Sequence, residues 1–220
     1  MKEVAEGVWR LAEFPRPLIN VYLAGDVLVD AGRNWDFGRI RRQVADRDLS
    51  LIALTHVHPD HQGSAHRLCE ELGLPLAVHE GDVDAMEGRR PVRASDHWLA
   101  RLFAWLWEGP SHEVDRVLRE GDRVADFTVV HAPGHAHGQV IFWRESDRVA
   151  ICGDVLRNIT FIALRTRLSE ISPALTPDVP EARRSLRKLA DLKPEFTLPG
   201  HGPEIRGPGP IEALADRVGV

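Results

Sequence analysis

The sequence predicts an α+β protein made of two strand-rich halves, each finishing in helices, and three observations carry that reading. Short runs of branched and aromatic residues open the chain at Val8 to Phe14, Asn20 to Ala24 and Val27 to Ala31, each bounded by Gly, Asp or Pro. A near-continuous apolar run, Leu49 to Leu54, begins a strand, helix, strand unit. A second group of strand-like runs, Phe127 to His131, Val140 to Trp143 and Val149 to Cys152, precedes a helix from about Val179 to Leu192.

Taken in order, the first three runs are close enough to form a meander. Phe37 to Val44 has helical spacing, with Arg39, Arg41 and Arg42 on its outer faces. The near-continuous apolar character of Leu49 to Leu54 predicts a buried strand. Gly63 to Leu72 follows as a helix with Leu68 and Leu72 four apart and Gly73 as its stop, and Leu76 to His79 is the next strand. The later helix opens with Asp178-Val179-Pro180-Glu181, a capping pattern with proline in the first turn. With no repeat, low-complexity tract or long linker, residues 1–220 are expected to form a single domain with a helical insert around residues 80–115.

Trp98 to Trp107 stands apart. At about 100° per residue its apolar side chains cover an arc of roughly 200°, wider than one buried stripe needs. The segment is expected to be a helix buried on two sides, a cover over a functional site, or the face of a homodimer. As a cover, its aromatic side chains, Trp105 among them, would wall a pocket for apolar substrates.

Composition excludes several classes. The chain has 220 residues, 43% hydrophobic and 28% charged, with mean hydropathy −0.24, so disorder and fibrous architectures drop out. A net charge of −5 provides no excess of positive charge to track a phosphate backbone, and nucleic acid is not an expected partner. The two cysteines, Cys69 and Cys152, lie far apart in apolar runs and are expected to be buried thiols. The start, Met1-Lys2-Glu3, is acidic where a signal peptide is apolar, and no apolar window of about 18 residues occurs, so a cytoplasmic protein without a membrane partner is expected.

The unusual number is 11 histidines. Directly after the buried strand comes Thr55-His56-Val57-His58-Pro59-Asp60-His61-Gln62-Gly63. A His-x-His-x-Asp-His pattern arises by chance in roughly two chains per thousand of this length, which sets aside a merely solvated loop. In an extended stretch His56 and His58 point to one side and can grip one metal ion, while the following turn lets Asp60 and His61 reach a second. Imidazole and carboxylate suit zinc, iron or manganese without any thiolate. Downstream candidates are His135 in Pro133-Gly134-His135, Asp154 in Gly153-Asp154 and His201 in Pro199-Gly200-His201-Gly202, each beside a glycine after a strand-like run.

With these motifs, and with Asn20-Val21-Tyr22-Leu23 and Val29-Asp30-Ala31-Gly32 near the start, the chain resembles the metallo-β-lactamase superfamily, specifically its glyoxalase II-like branch. The resemblance implies a four-layer αββα sandwich with metals at one edge. It implies one ion on His56, His58 and His135, a second on Asp60, His61 and His201, Asp154 bridging both, and Asp30 orienting the histidines. The cofactors implied are two divalent ions, zinc first, with manganese or iron as alternatives. The chemistry implied is hydrolysis of a small ester, thioester, lactone or related carbonyl compound by a hydroxide shared between the ions, with Asp60 as catalytic proton carrier.

Branch features narrow this expectation. The chain ends soon after His201, where glyoxalase II carries a helical extension, and its single tyrosine, Tyr22, lies in the early meander, away from the electrophile position of lactonases. The alternative is a mononuclear iron persulfide dioxygenase-like enzyme, whose Arg- and Gly-rich stretch is missing from Val155 to Phe161. His137 is expected in the pocket or at the surface. His131 and His79 are expected to be satisfied polar groups, and His66, His97 and His112 solvated ones.

Overall fold

Side-chain alternation along short, largely buried strands organises the molecule. The computed structural model describes residues 1–13, 18–92, 96–160 and 165–220. The first half contains β1 (Lys2–Ala5), β2 (Val8–Arg10), β3 (Tyr22–Ala24), β4 (Val27–Val29), α1 (Phe37–Val44), β5 (Leu51–Ala53), α2 (Pro59–Gln62), α3 (Ala65–Leu72), β6 (Leu76–His79), α4 (Val83–Met86), α5 (Trp98–Trp107) and β7 (Arg116–Leu118). The second contains β8 (Arg123–Val124), β9 (Phe127–His131), β10 (Val140–Arg144), β11 (Val149–Gly153), α6 (Val179–Asp191), β12 (Phe196–Pro199), β13 (Ile205–Arg206) and α7 (Gly209–Arg217).

The strands form a seven-stranded sheet in sequential order β1 to β7 and a six-stranded sheet in the order β13-β12-β11-β10-β9-β8. Strands β1 to β4 are an antiparallel meander, and β4 to β7 run parallel through helical crossovers. Period-two alternation then assigns each side chain to a layer. Tyr22, Val27, Val29, Ala53 and Ala77 face Val129, Val140, Phe142 and Ile151 across the gap between the sheets. Their neighbours Leu23, Leu28, Ile52 and Leu76 pack outward against Ile40, Leu68 and Met86. Ile141, Ala150 and Cys152 pack outward against Leu186, Leu189 and Leu214. Three cores between four layers constitute the αββα sandwich that the sequence predicts, and they explain why its strands read as unbroken apolar runs.

The element assignments hold at Phe37–Val44, Leu76–His79 and Phe127–His131, and α3 stops at Gly73 as expected. Asp178 caps α6 by accepting from the backbone N–H of Glu181 at 2.9 Å. The first strand is shorter than expected: β2 ends at Arg10, and Phe14 lies outside the described residues. Leu49 and Leu54 fall outside β5, and Phe161 is also undescribed. Both thiols are buried, Cys69 pushed up to about 12 and Cys152 further still, with burial the main cause. Cys152 belongs to the outward core with α6 and α7.

Candidate metal centre

Four strand ends deliver the chemistry to one edge. β5 runs out into His56, His58, Asp60 and His61, β9 leads to His135, β11 ends beside Asp154, and β12 ends beside His201. Loops at strand ends can converge because the sheets beneath fix their origins. All seven predicted site residues come together. The donor atoms of His56, His58 and His135 lie within 4.8 Å of one another, as do those of His56, His61 and Asp154, and those of Asp60, His61 and His201. Asp154 reaches members of both outer groups, at 3.5 Å from His135, 3.5 Å from His61 and 3.1 Å from His201.

Surrounding hydrogen bonds fix which nitrogen of each ring faces inward. His61 Nδ1–H donates to Asp30 at 2.9 Å and His201 Nδ1–H to the Leu18 carbonyl at 2.6 Å. Thr55 Oγ1 donates to Asp30 at 2.9 Å, which leaves it to accept from His56 Nδ1–H at 3.1 Å. The Nε2 atoms of all three rings therefore point to the centre. His56 Nε2, His61 Nε2 and one Asp154 oxygen are buried with no hydrogen-bond partner, and His58 Nδ1 meets His135 Nε2 at 2.9 Å. Buried polar atoms without partners are costly, and convergent lone pairs of this kind fit a divalent cation. Asp30 stands behind His61, where a carboxylate can orient the ring.

One residue that sequence reasoning missed is Asp82. Buried after β6, it accepts from the Val57 N–H at 3.0 Å and the Gly138 N–H at 2.9 Å, tying the His56–His58 segment to the His135 loop. Its only signal was an acidic residue following a strand, which is too common to single out. Asn20, Nδ2 to the carbonyls of Pro199 and Gly202, and Tyr22, hydroxyl to Pro199, hold the His201 loop from the meander. His137 is exposed and joins none of the donor groups, although it borders a cleft with His58 and His135. His79 and His131 stack on each other at 4.1 Å between centroids.

Protonation follows from burial and charge. Burial, then the neighbouring imidazoles, holds His56 and His58 far below the usual histidine range, and burial holds His135 at about 4. These rings are neutral at pH 7, the state in which imidazole binds metal. Burial acts the same way on His61 but is outweighed by Asp30, Asp154 and Asp60, which push it up to about 10. That negative field holds a proton where a cation would otherwise sit.

Metal-free protein should therefore have a stability optimum near pH 6.5. Below 6.5 the unfolded state takes up protons that buried His56, His58 and His135 refuse, so stability falls with pH. From 6.5 toward 10 the folded state holds the His61 proton that the unfolded state has lost, so stability falls again as pH rises. Thermal melts in chelator across pH 5 to 10 measure this, and a Tm that climbs steadily from 6.5 to 9 would contradict it.

A cavity of about 650 Å³ opens over the centre. Its floor is His58, Asp60, His135, Asp154 and His201, and its apolar wall is Leu99, Ala100, Phe103 and Trp107 of α5 with Ile171 and Leu175. The helix thus covers the site, but not with the side chain singled out above: Trp105 is 79% exposed and Trp98 65%, both off the cavity, while Phe103 and Trp107 stack at 4.4 Å along it.

Comparison with known proteins gives one family. The model of the metallo-beta-lactamase superfamily matches residues 16–201. In sequence the chain is 29% identical over 204 residues to the Bacillus subtilis (strain 168) protein named "Probable metallo-hydrolase YflN", covering 82% of this chain and 76% of that one. In structure it superposes on the di-iron-bound form of TTHA1623 with TM-score 0.71 and 29% identity, covering 94% of this chain and 98% of that one. The metallo-beta-lactamase family protein TTHA1429 from Thermus thermophilus gives TM-score 0.70 at 26% identity, covering 98% of this chain and 79% of that one.

Proposed function

The chain belongs to the metallo-beta-lactamase superfamily, and we propose that it is a glyoxalase II-like dinuclear hydrolase of small esters, thioesters or lactones with an apolar acyl part. His56, His58 and His135 would hold one divalent ion, Asp60, His61 and His201 a second, and Asp154 would bridge them. Two ions bound there supply Lewis acidity toward a carbonyl oxygen and make water a nucleophile at neutral pH. Zinc suits the thiolate-free, borderline donor set, and the di-iron form of TTHA1623 shows that a relative accepts iron.

The chain's own residues do the rest. Asp60, 15% exposed at the cavity floor and 3.4 Å from His201 Nε2, is the carboxylate placed to carry a proton to the departing atom. Asp30 and Leu18 keep His61 and His201 in the tautomer that presents Nε2. Phe103, Trp107 and Leu99 exclude water and seat the apolar part of the substrate. The observation that carries the reading is that apolar wall standing directly over the donor floor.

Metal analysis joined to an acyl-length series tests it. Two divalent ions per chain and hydrolysis favouring longer acyl thioesters or esters are expected. Phe103→Ala should raise KM for the longest acyl chain about tenfold to a hundredfold, the worth of burying one phenyl ring, with metal content and kcat unchanged. Trp105→Ala should leave KM alone. A single iron with oxygen uptake on a persulfide, or no effect of Phe103→Ala on any ester, would refute the proposal.

A further inference from the structure

A second convergence of metal-ligating side chains lies outside the centre at Asp154. His66 and Glu70 sit one helical turn apart on α3, and His112 meets them from the segment between α5 and β7. No local pattern joins them, because 42 or more residues separate His112 from the pair and both histidines read as solvated.

The geometry points to a zinc site built from His66, Glu70 and His112. The Nδ1 atoms of His66 and His112 face each other at 3.1 Å, with the rings at 75° and 5.2 Å between centroids. The catalytic-edge pair His58 and His135 has the same signature, 2.9 Å, 87° and 4.5 Å. Two imidazole nitrogens this close repel unless a proton or a cation lies between them. A tetrahedral zinc ion with bonds of about 2.0–2.1 Å holds its nitrogens roughly 3.3 Å apart, so the pair is already spaced for one. Glu70 Oε1 is 4.0 Å from His112 Nδ1 on a side chain 66% exposed, within a rotamer change of ligating distance. His112 is not a loose surface ring: its side chain is 13% exposed and its backbone N–H donates to Met86 at 3.0 Å.

Two imidazoles and one carboxylate leave a fourth position for water, and none of the three lines the substrate cavity, so the ion would sit apart from the substrate. Its consequence is mechanical. The ion would clamp α3 to the chain leaving α5, the helix whose side chains wall the substrate cavity, reinforcing the Asn34 N–H bond to the Trp107 carbonyl at 3.0 Å.

The test counts zinc by difference in the intact protein. Wild type, His66→Ala, His112→Ala and Glu70→Gln are equilibrated with a small excess of zinc, exchanged into zinc-free buffer and analysed for metal per chain. Wild type should retain one equivalent more than either histidine variant. Glu70→Gln, a surface change that cannot unfold the chain, should lose that equivalent to a mild chelator at least tenfold more readily. Asp154→Ala should keep it while losing its own metals, so a failed proposal at the catalytic edge is distinguishable from failure here. Added zinc should also raise the Tm of metal-loaded wild type but not of His112→Ala. Equal zinc contents in wild type and the folded histidine variants would overturn the site, as would an extra equivalent that survives His66→Ala; either result would mean that the two rings share a proton.

Discussion

Asp154→Ala is expected to cut turnover about a thousandfold and to bring metal content below that of His58→Ala or His201→Ala. A histidine variant removes a donor from one outer group, whereas Asp154 lies 3.5 Å from His135, 3.5 Å from His61 and 3.1 Å from His201 and so serves both. Lewis-acid stabilisation is worth several kcal/mol and each ~1.4 kcal/mol is tenfold in rate, so losing both ions costs on the order of 10³. The carboxylate is also held ionised: burial opposes this, but His201 and His61 outweigh it and keep it well below the usual carboxylate range. Its removal leaves His61 with one fewer counter-charge, which should lower the affinity of that ring for a proton and for a cation alike. Atomic absorption on purified variants reads the metal, and steady-state kinetics the rate. Metal content equal to that of His201→Ala would show that Asp154 does not serve both groups.

What the sequence reveals and what it hides follow from locality. His56, His58, Asp60 and His61 are legible because one strand end carries them all, and His135, Asp154 and His201 because each is paired with a glycine after an apolar run. The layers are legible too, since continuous burial of Leu28, Ile52 or Ile141 leaves no polar face and requires packing on both sides. The pairings are not legible. Asp82 works by linking Val57 to Gly138, a span of 81 residues, and no local pattern announces such a tie. The early strand β1 and the two-residue β8 and β13 carry too few side chains to show a period.

Helix α5 shows the same limit from the other direction. Its wide apolar arc does not mark a helix buried on two sides, since Trp98 is 65% and Trp105 79% exposed, and periodicity alone does not say which face meets the site. Tertiary placement decides that Leu99, Phe103 and Trp107 turn to the cavity and that Trp98, Leu102 and Trp105 stay exposed. The arc points to Trp105 as readily as to Phe103, and only the tertiary geometry selects Phe103.

Gly200→Ala should disable the centre almost as thoroughly as loss of Asp154, without replacing any of its donor residues. A Cβ built on Gly200 would lie 2.3 Å from Asp154 Oδ1 and 2.7 Å from His61 Cε1, distances real Cβ atoms do not show. Neither neighbour has an easy retreat, because Asp30 holds His61 at 2.9 Å and Asp154 is ringed by three histidines. The Gly200 backbone is equally fixed: its N–H donates to Gly153 at 2.8 Å and its carbonyl accepts from Asn20 at 2.8 Å. The added methyl must therefore displace the carboxylate. Overpacking of this kind costs about 1–3 kcal/mol of stability, and the displaced donor should lower turnover by roughly two to three orders of magnitude with loss of metal. Gly38→Ala is the matched control, since its Cβ would meet nothing within 4 Å and it lies inside helix α1. That change should stabilise the protein by about 0.5–1 kcal/mol with metal and turnover unaltered. Wild-type metal content and rate in Gly200→Ala would show that the Asp154 carboxylate does not act from the position it occupies against Gly200.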